Sequence, residues 1–242
     1  MPTTPPIPPA VARRSPANRR AFLTATAATV LTSATAVASA APAPARPAVD
    51  RARPGTAQKA LATLLEGNRR WARIRSLHPH EDRARRLEVT HEQHPFATVL
   101  SCVDSRVPPE LIFDQGLGDL LVIRTAGEVL DEAVLGSLQY GVAELRIPLL
   151  LVLGHERCGA VAATIEQLRT GKQVPGHLAR LVEGIGPSAW ACRDEPGDWV
   201  DHTVAAHARR MRDALRADTA FRPATIVAAR YDLDSGLVRV LP

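Results

Sequence analysis

Three short apolar runs constrain this 242-residue chain more than anything else in it. Ala97-Thr98-Val99-Leu100-Ser101, Leu120-Leu121-Val122-Ile123 and Leu149-Leu150-Leu151-Val152-Leu153 are nearly continuous and are bounded by Gly, Pro or Asp. Strands of that kind need cover on both faces, which a parallel sheet provides. Between and after them the period changes to that of a helix. Residues 132–145 repeat Val134, Leu135, Leu138, Val142 and Leu145, and residues 158–168 again read as a helix. Upstream, residues 57–75 place Leu61, Leu64, Leu65, Trp71 and Ile74 at helical spacing, softened by Gly67-Asn68, and the charged span 78–94 reads as a helix flanked by loop. Downstream, a polar-faced helix over about 201–217 precedes 224–231 and 237–241, a hairpin around Asp234-Ser235-Gly236 that completes the sheet. Strand, helix, strand, helix is the α/β pattern, and no internal repeat interrupts it.

The net charge of +5 and pI near 9.7 suggest a nucleic-acid or anionic-membrane partner until the charge is located. Residues 1–40 hold Arg13, Arg14, Arg19 and Arg20 and no acidic residue, so the remainder is close to neutral. There the signs interleave, as in 83–88 and 194–201, with no basic stripe, and a nucleic-acid partner is not expected. Asn18-Arg19-Arg20-Ala21-Phe22-Leu23 opens an uncharged Ala/Thr/Ser/Val stretch that ends near Ala38-Ser39-Ala40, small residues at a cleavage spacing. Residues 1–40 therefore read as a twin-arginine signal peptide. The stretch is too weakly apolar for an anchor, so no stable membrane insertion is expected after cleavage. Residues 41–55 read as a flexible Ala/Pro-rich tether, and residues 56–242 as one domain, exported already folded to the cell envelope or beyond. Export of folded protein raises the expectation of a metal or prosthetic group.

Two segments that follow predicted strands carry the chemistry: Ser101-Cys102-Val103-Asp104-Ser105-Arg106 and Gly154-His155-Glu156-Arg157-Cys158-Gly159. In an open parallel sheet ligands collect at the carboxyl ends of the strands. Cys102, His155 and Cys158 could therefore converge as two thiolates and an imidazole, a catalytic zinc set whose fourth position is left for water. Cys158 would also start a helix, where free N–H groups favour a thiolate. Packed cysteines, or a Cys102–Cys158 disulfide in an exported protein, are the alternatives. Asp104 and Arg106 beside the first cysteine favour the metal, because a buried acid and base so placed must pair. Cys192 has no ligand-like neighbour and reads as a packed or free thiol.

At these residues the sequence resembles the β-class carbonic anhydrases. Cys102-Val103-Asp104-Ser105-Arg106-Val107-Pro108-Pro109-Glu110 is similar to the first signature of that family and Gly154-His155-Glu156-Arg157-Cys158-Gly159-Ala160-Val161 to the second. The segments 113–120, Arg124-Thr125-Ala126-Gly127, Ser137-Leu138-Gln139-Tyr140 and 231–236 follow the family order, so the likeness runs from about 57 to 241. It implies a Rossmann-like, mostly parallel central sheet flanked by helices. It also implies one Zn2+ per subunit on Cys102, His155 and Cys158, a homodimer or higher homo-oligomer, and reversible hydration of CO2 to bicarbonate and a proton. Gln93, nine residues before Cys102, matches a glutamine that in the plant-like subgroup bonds substrate or bicarbonate. Val99 replaces the tryptophan of the bicarbonate-regulated subgroup, which favours a site open to water. Glu128 stands where Asn is common, and Leu121 where the family often has an aromatic lining residue.

The expected mechanism is attack by a zinc-bound hydroxide, since zinc brings the pKa of bound water toward neutrality. Arg106 would keep Asp104 charged as an acceptor that orients the attacking oxygen. Gln93 and the backbone N–H of Gly159 would meet the oxygen that gains charge, a side chain at 159 crowding the substrate. Ala126, Leu121 and Tyr140 would form an apolar wall. A CS2 or COS hydrolase on the same site and a noncatalytic zinc module are the alternative functions. His78, His80, His91, His94, His177, His202 and His207 are shuttle candidates by type only and read as surface histidines.

Overall fold

The computed structural model describes residues 53–242. The twin-arginine leader and most of the tether lie outside the described residues. Helix α1 (Ala57–Ala72) starts where Thr56 accepts the Lys59 N–H at 3.3 Å, and α2 (Arg83–Glu88) where Asp82 accepts the Arg85 N–H at 2.7 Å. Then come β1 (Ala97–Ser101), the single turn α3 (Pro109–Ile112), β2 (Leu120–Arg124) and a 3-10 turn at Ala126–Glu128. The chain continues through α4 (Glu132–Ala143), β3 (Leu149–His155), α5 (Gly159–Thr170), α6 (Ala179–Ala191) and α7 (Trp199–Ala217) to the hairpin β4 (Thr225–Tyr231) and β5 (Val238–Leu241).

The sheet order is β2-β1-β3-β4-β5, parallel throughout except for the antiparallel β4–β5 pair. All seven residues of β3 are buried, which is why its sequence is a run of apolar residues without alternation. The pleat still divides them. Leu149, Leu151 and Leu153 pack with Leu64 of α1 and Phe113, whereas Leu150 and Val152 pack with Leu138 of α4 and Met211 of α7. The expected α/β architecture is therefore the one found. From β1 the chain steps outward to β2, then returns to β3 on the other side of β1. That reversal puts a topological switch point at the C-terminal ends of β1 and β3, where open α/β sheets hold their ligands.

Sequence periodicity located every strand and missed α6. This helix carries Gly184, Gly186 and Pro187, poor helix formers, and is held by packing of Ile185 and Ala189 on α5 and α7. No helix among the described residues is long and apolar enough to cross a membrane.

Candidate metal centre

Cys102 is the first residue past β1, His155 the last of β3, and Cys158 the residue that caps α5. Helices α4 and α7 receive side-chain caps from Asp131 and Asp198, but Cys158 makes no cap bond, which leaves the first N–H groups of α5 directed at the switch point. All three side chains are buried, His155 completely. Their ligand atoms lie within 4.8 Å of one another, the one such grouping of three or more His, Cys and acidic side chains among the described residues.

The two sulfurs are 4.0 Å apart and both thiols are free, so the disulfide alternative falls. Two thiolates at about 2.3 Å from a tetrahedral zinc would stand roughly 3.8 Å apart, close to this separation. His155 Nδ1 sits 2.9 Å from the Glu156 carbonyl, which places the ring proton there, while the buried Nε2 has no hydrogen-bond partner. A lone pair buried without a partner costs about 1–3 kcal/mol unless another group takes it. The donor set, two sulfurs and one unclaimed imidazole nitrogen, fits zinc. Cys102 is held low, to about 4, by its hydrogen bond with Cys158, against burial and with help from His155 and the Gly127 N–H at 3.3 Å. Cys158 is pushed up because it keeps the proton the two sulfurs share, and by burial.

Asp104 borders the set. Arg106 grips its carboxylate twice, Nε to Oδ1 at 2.9 Å and Nη2 to Oδ2 at 2.7 Å, and the Arg106 backbone N–H adds a third bond at 2.9 Å. This grip holds the carboxyl down at about 2. Its Oδ2 lies 4.0 Å from His155 Nε2, so an ionised acceptor faces the place where the three ligand atoms point.

Several residues that build this geometry had no role in the sequence reading. Arg124 donates to the carbonyls of Cys102 (2.9 Å) and Asp104 (2.6 Å), which fixes the loop that leaves β1. Arg157, left-handed at φ 50, pairs with both oxygens of Asp234 at 2.9 and 2.7 Å while its carbonyl accepts from Arg106 at 3.4 Å. Glu156 accepts the Leu233 N–H at 3.0 Å. The segment after β4 thus clamps the loop carrying His155 and Cys158. In sequence these residues were visible only as members of the Arg-x-x-Gly run, the second signature and the 231–236 segment, with no role attached.

Of the expected substrate residues, Gly159 and Ala126 are at this end of the sheet, and open space fronts Gly159, where an added Cβ would meet nothing within 4 Å. Gln93, Leu121 and Tyr140 do not join the ligand set within one chain. Gln93 is exposed before the start of β1, whereas Cys102 follows its end. Leu121 pairs with Thr98 in mid-sheet, roughly 10 Å before the end of β2, and lies against Gly141 of α4. Tyr140 is exposed on α4. Two further corrections concern burial: Arg106, expected to be buried with Asp104, is exposed, and one of the histidines read as a surface residue is not. His207 is a core residue of α7 and not a surface histidine. Glu128, left-handed at φ 52, is buried, and burial and then the Cys102 charge push its carboxyl well above the usual range.

A sequence profile described as "Carbonic anhydrase" matches residues 97–238. A carbonic anhydrase of Mycolicibacterium smegmatis is 41% identical over 188 residues, covering 75% of this chain and 91% of the relative. Carbonic anhydrase 2 of Mycobacterium tuberculosis is 40% identical over 184 residues, 73% of this chain and 89% of that one. Among solved structures, the β-carbonic anhydrase CcaA superposes with a TM-score of 0.60 at 22% identity, covering 74% of this chain and 86% of its own. A tetrameric β-carbonic anhydrase of Sordaria macrospora gives 0.58 at 18% identity, with 75% and 96% covered.

Proposed function

The chain belongs to the β-class carbonic anhydrase family, and from that premise we propose that Asp104, held by Arg106, is the group that orients the attack on CO2. The family reaction is the zinc-dependent, reversible hydration of CO2 to bicarbonate and a proton, and Cys102, His155 and Cys158 are the residues that can hold the ion. When bound, zinc supplies a nucleophile from water near neutral pH.

The chain's own side chains do the rest. Asp104 stays ionised because Arg106 occupies both of its oxygens, so it accepts a proton-bearing oxygen's hydrogen bond and aims the lone pair at carbon. The N–H groups at the start of α5, Gly159 first, face the oxygen that gains charge, and the space in front of Gly159 admits a small substrate. The observation that carries the reading is the unclaimed, buried Nε2 of His155 pointing at two free thiols beside an ionised carboxylate. Stopped-flow CO2 hydration with zinc measured on the same sample is the test, with CS2 and COS assayed in parallel. Stoichiometric zinc without CO2 hydration across pH 7–9 would sink it.

The working unit in this reading is a homodimer. Edge strand β2 is half-buried along its whole length, and Leu111 and Leu117 are exposed beside Leu120. An apolar edge of this kind calls for cover. Gln93, Leu121 and Tyr140 serve substrate only across such an interface. Analytical ultracentrifugation at assay concentration tests it, a monomer with full activity being the contrary result. Export in folded form rests on the Arg19-Arg20 leader. Replacing both arginines by lysine should retain the protein in the cytoplasm, and N-terminal sequencing of exported protein should begin near Ala41.

A further inference from the structure

We propose that Glu156 is a positioning residue for His155, holding in place the carbonyl that takes the ring proton. The inference rests on the zinc reading above. His155 is completely buried, and its Nδ1 sits 2.9 Å from the Glu156 carbonyl. That bond sets both the tautomer and the rotation of the ring, and so decides where the unpartnered Nε2 points. A ring turned about its Cβ–Cγ bond would keep its burial and lose its aim at the two sulfurs. What holds the carbonyl is therefore what aims the ligand.

The carbonyl belongs to the peptide group between residues 156 and 157, and both of these residues are tied to the end of β4 and the turn that follows it. The Glu156 N–H donates to the Tyr231 carbonyl at 2.9 Å, and its carboxylate accepts the Leu233 N–H at 3.0 Å. Arg157 and Arg230 stand 3.4 and 3.9 Å from its other oxygen. With its N–H and its side chain both held, Glu156 has its Cα–C bond fixed in direction. The carbonyl can then swing only if ψ of residue 156 and φ of residue 157 change together. Arg157 sits at φ 50, in a small left-handed well, and pairs with both oxygens of Asp234, so it resists that change. The turn does not yield either. Asp232 Oδ1 accepts the Ser235 N–H and hydroxyl at 2.8 and 2.7 Å. Buried Asn68 of α1 donates to the Gly236 carbonyl and accepts the Val238 N–H, each at 2.8 Å. Groups that orient a ligand from outside the metal's own shell change affinity by about 10- to 100-fold when removed.

The experiment compares Glu156→Ala, Glu156→Gln and Asp234→Ala by competition for zinc against a chromophoric chelator and by the ligand-field bands after cobalt(II) loading. Glu156→Ala keeps the carbonyl and loses its tie, so it is expected to bind zinc about tenfold more weakly, the low end of that range, and to shift the bands. Glu156→Gln, whose side-chain oxygen still accepts the Leu233 N–H, should recover most of both. Asp234→Ala should shift the bands in the same direction by less. Asp119→Ala, a destabilising change at the far end of the sheet, is the control and should leave both readouts at the wild-type value. Wild-type affinity and bands in folded Glu156→Ala would overturn the proposal, as would a Glu156→Gln protein no better than Glu156→Ala, or equal shifts in Asp119→Ala. If Glu156→Ala does not fold, Asp234→Ala decides: shifted bands support the role and unshifted ones overturn it. Wild-type protein that takes up no zinc would refute the zinc reading instead.

Discussion

Two clusters built from similar side chains sit at opposite ends of the sheet. At the N-terminal end, His80 Nδ1 is 2.8 Å from both oxygens of Asp119, the Gly116 N–H donates to Asp119 at 2.8 Å, and Arg85 reaches it at 3.5 Å. A cavity of about 620 Å3 lies alongside. At the C-terminal end, His155, Asp104 and Arg106 stand with Cys102 and Cys158, yet there His155 Nε2 has no partner and both sulfurs point the same way. The first cluster satisfies its own polar groups and locks the turn that leads into β2. The second leaves three donors converging on one point. Residue type and cavity size favour the wrong end, since CO2 needs little room, and unsatisfied donors are what mark the centre.

The largest effect that could break this contrast is at Cys158. Cys158→Ser is expected to lose zinc and CO2 hydration together, whereas His80→Ala at the other end keeps both. Metal analysis and stopped-flow assay on the same samples check the pair, and stoichiometric zinc in Cys158→Ser would reverse the assignment. Next comes Asp104→Asn. The group borders the ligands without belonging to them, so zinc should stay at one per chain while kcat falls by about 10^2- to 10^3-fold. Unchanged turnover in that variant would remove Asp104 from the reaction.

How much of this could be read from sequence follows the same division between local and long-range causes. The strands were legible because β1 and β3 are covered on both faces and are apolar along most of their length. The ligands were legible because each follows or ends a strand, where chain order alone brings them together. Helix α6 was not, because Gly184, Gly186 and Pro187 argue against a helix that only its neighbours stabilise. The burial of His207 was hidden for the same reason: its polar contact, Ser188 on α6, is 19 residues away. Gln93, Leu121 and Tyr140 were assigned through resemblance, which does not say that a residue and the site it serves lie in one chain.

A smaller effect sharpens the other end. Asp119 accepts from the His80 ring, the Gly116 N–H and Arg85; Arg85 keeps the Leu117 carbonyl and Glu88, so Asp119→Ala strands the other two half-buried donors and should cost about 1–3 kcal/mol. Urea denaturation measures the loss. Zinc content and kcat should be those of the wild type, and a fall in either at unchanged stability would make the N-terminal cluster part of the catalytic apparatus.

The smallest effect concerns the pH dependence of the Asp104–Arg106 pair. The Arg106 hydrogen bonds hold the Asp104 carboxyl at about 2, below its ordinary value of 3.8. A group lowered on folding stabilises the folded state above its unfolded pKa and loses that contribution as pH falls through the folded one. The loss therefore falls between about pH 4 and pH 2, well below the pH 7–9 of the hydration assay. Because Arg106 is largely exposed, the amount should be under about 1 kcal/mol. Arg106→Gln should raise the Asp104 carboxyl toward 3.8 and remove this acid-side slope, which melting curves across pH 2–5 resolve. A slope that survives in Arg106→Gln would mean that another carboxylate carries it, and that the grip of Arg106 serves orientation alone.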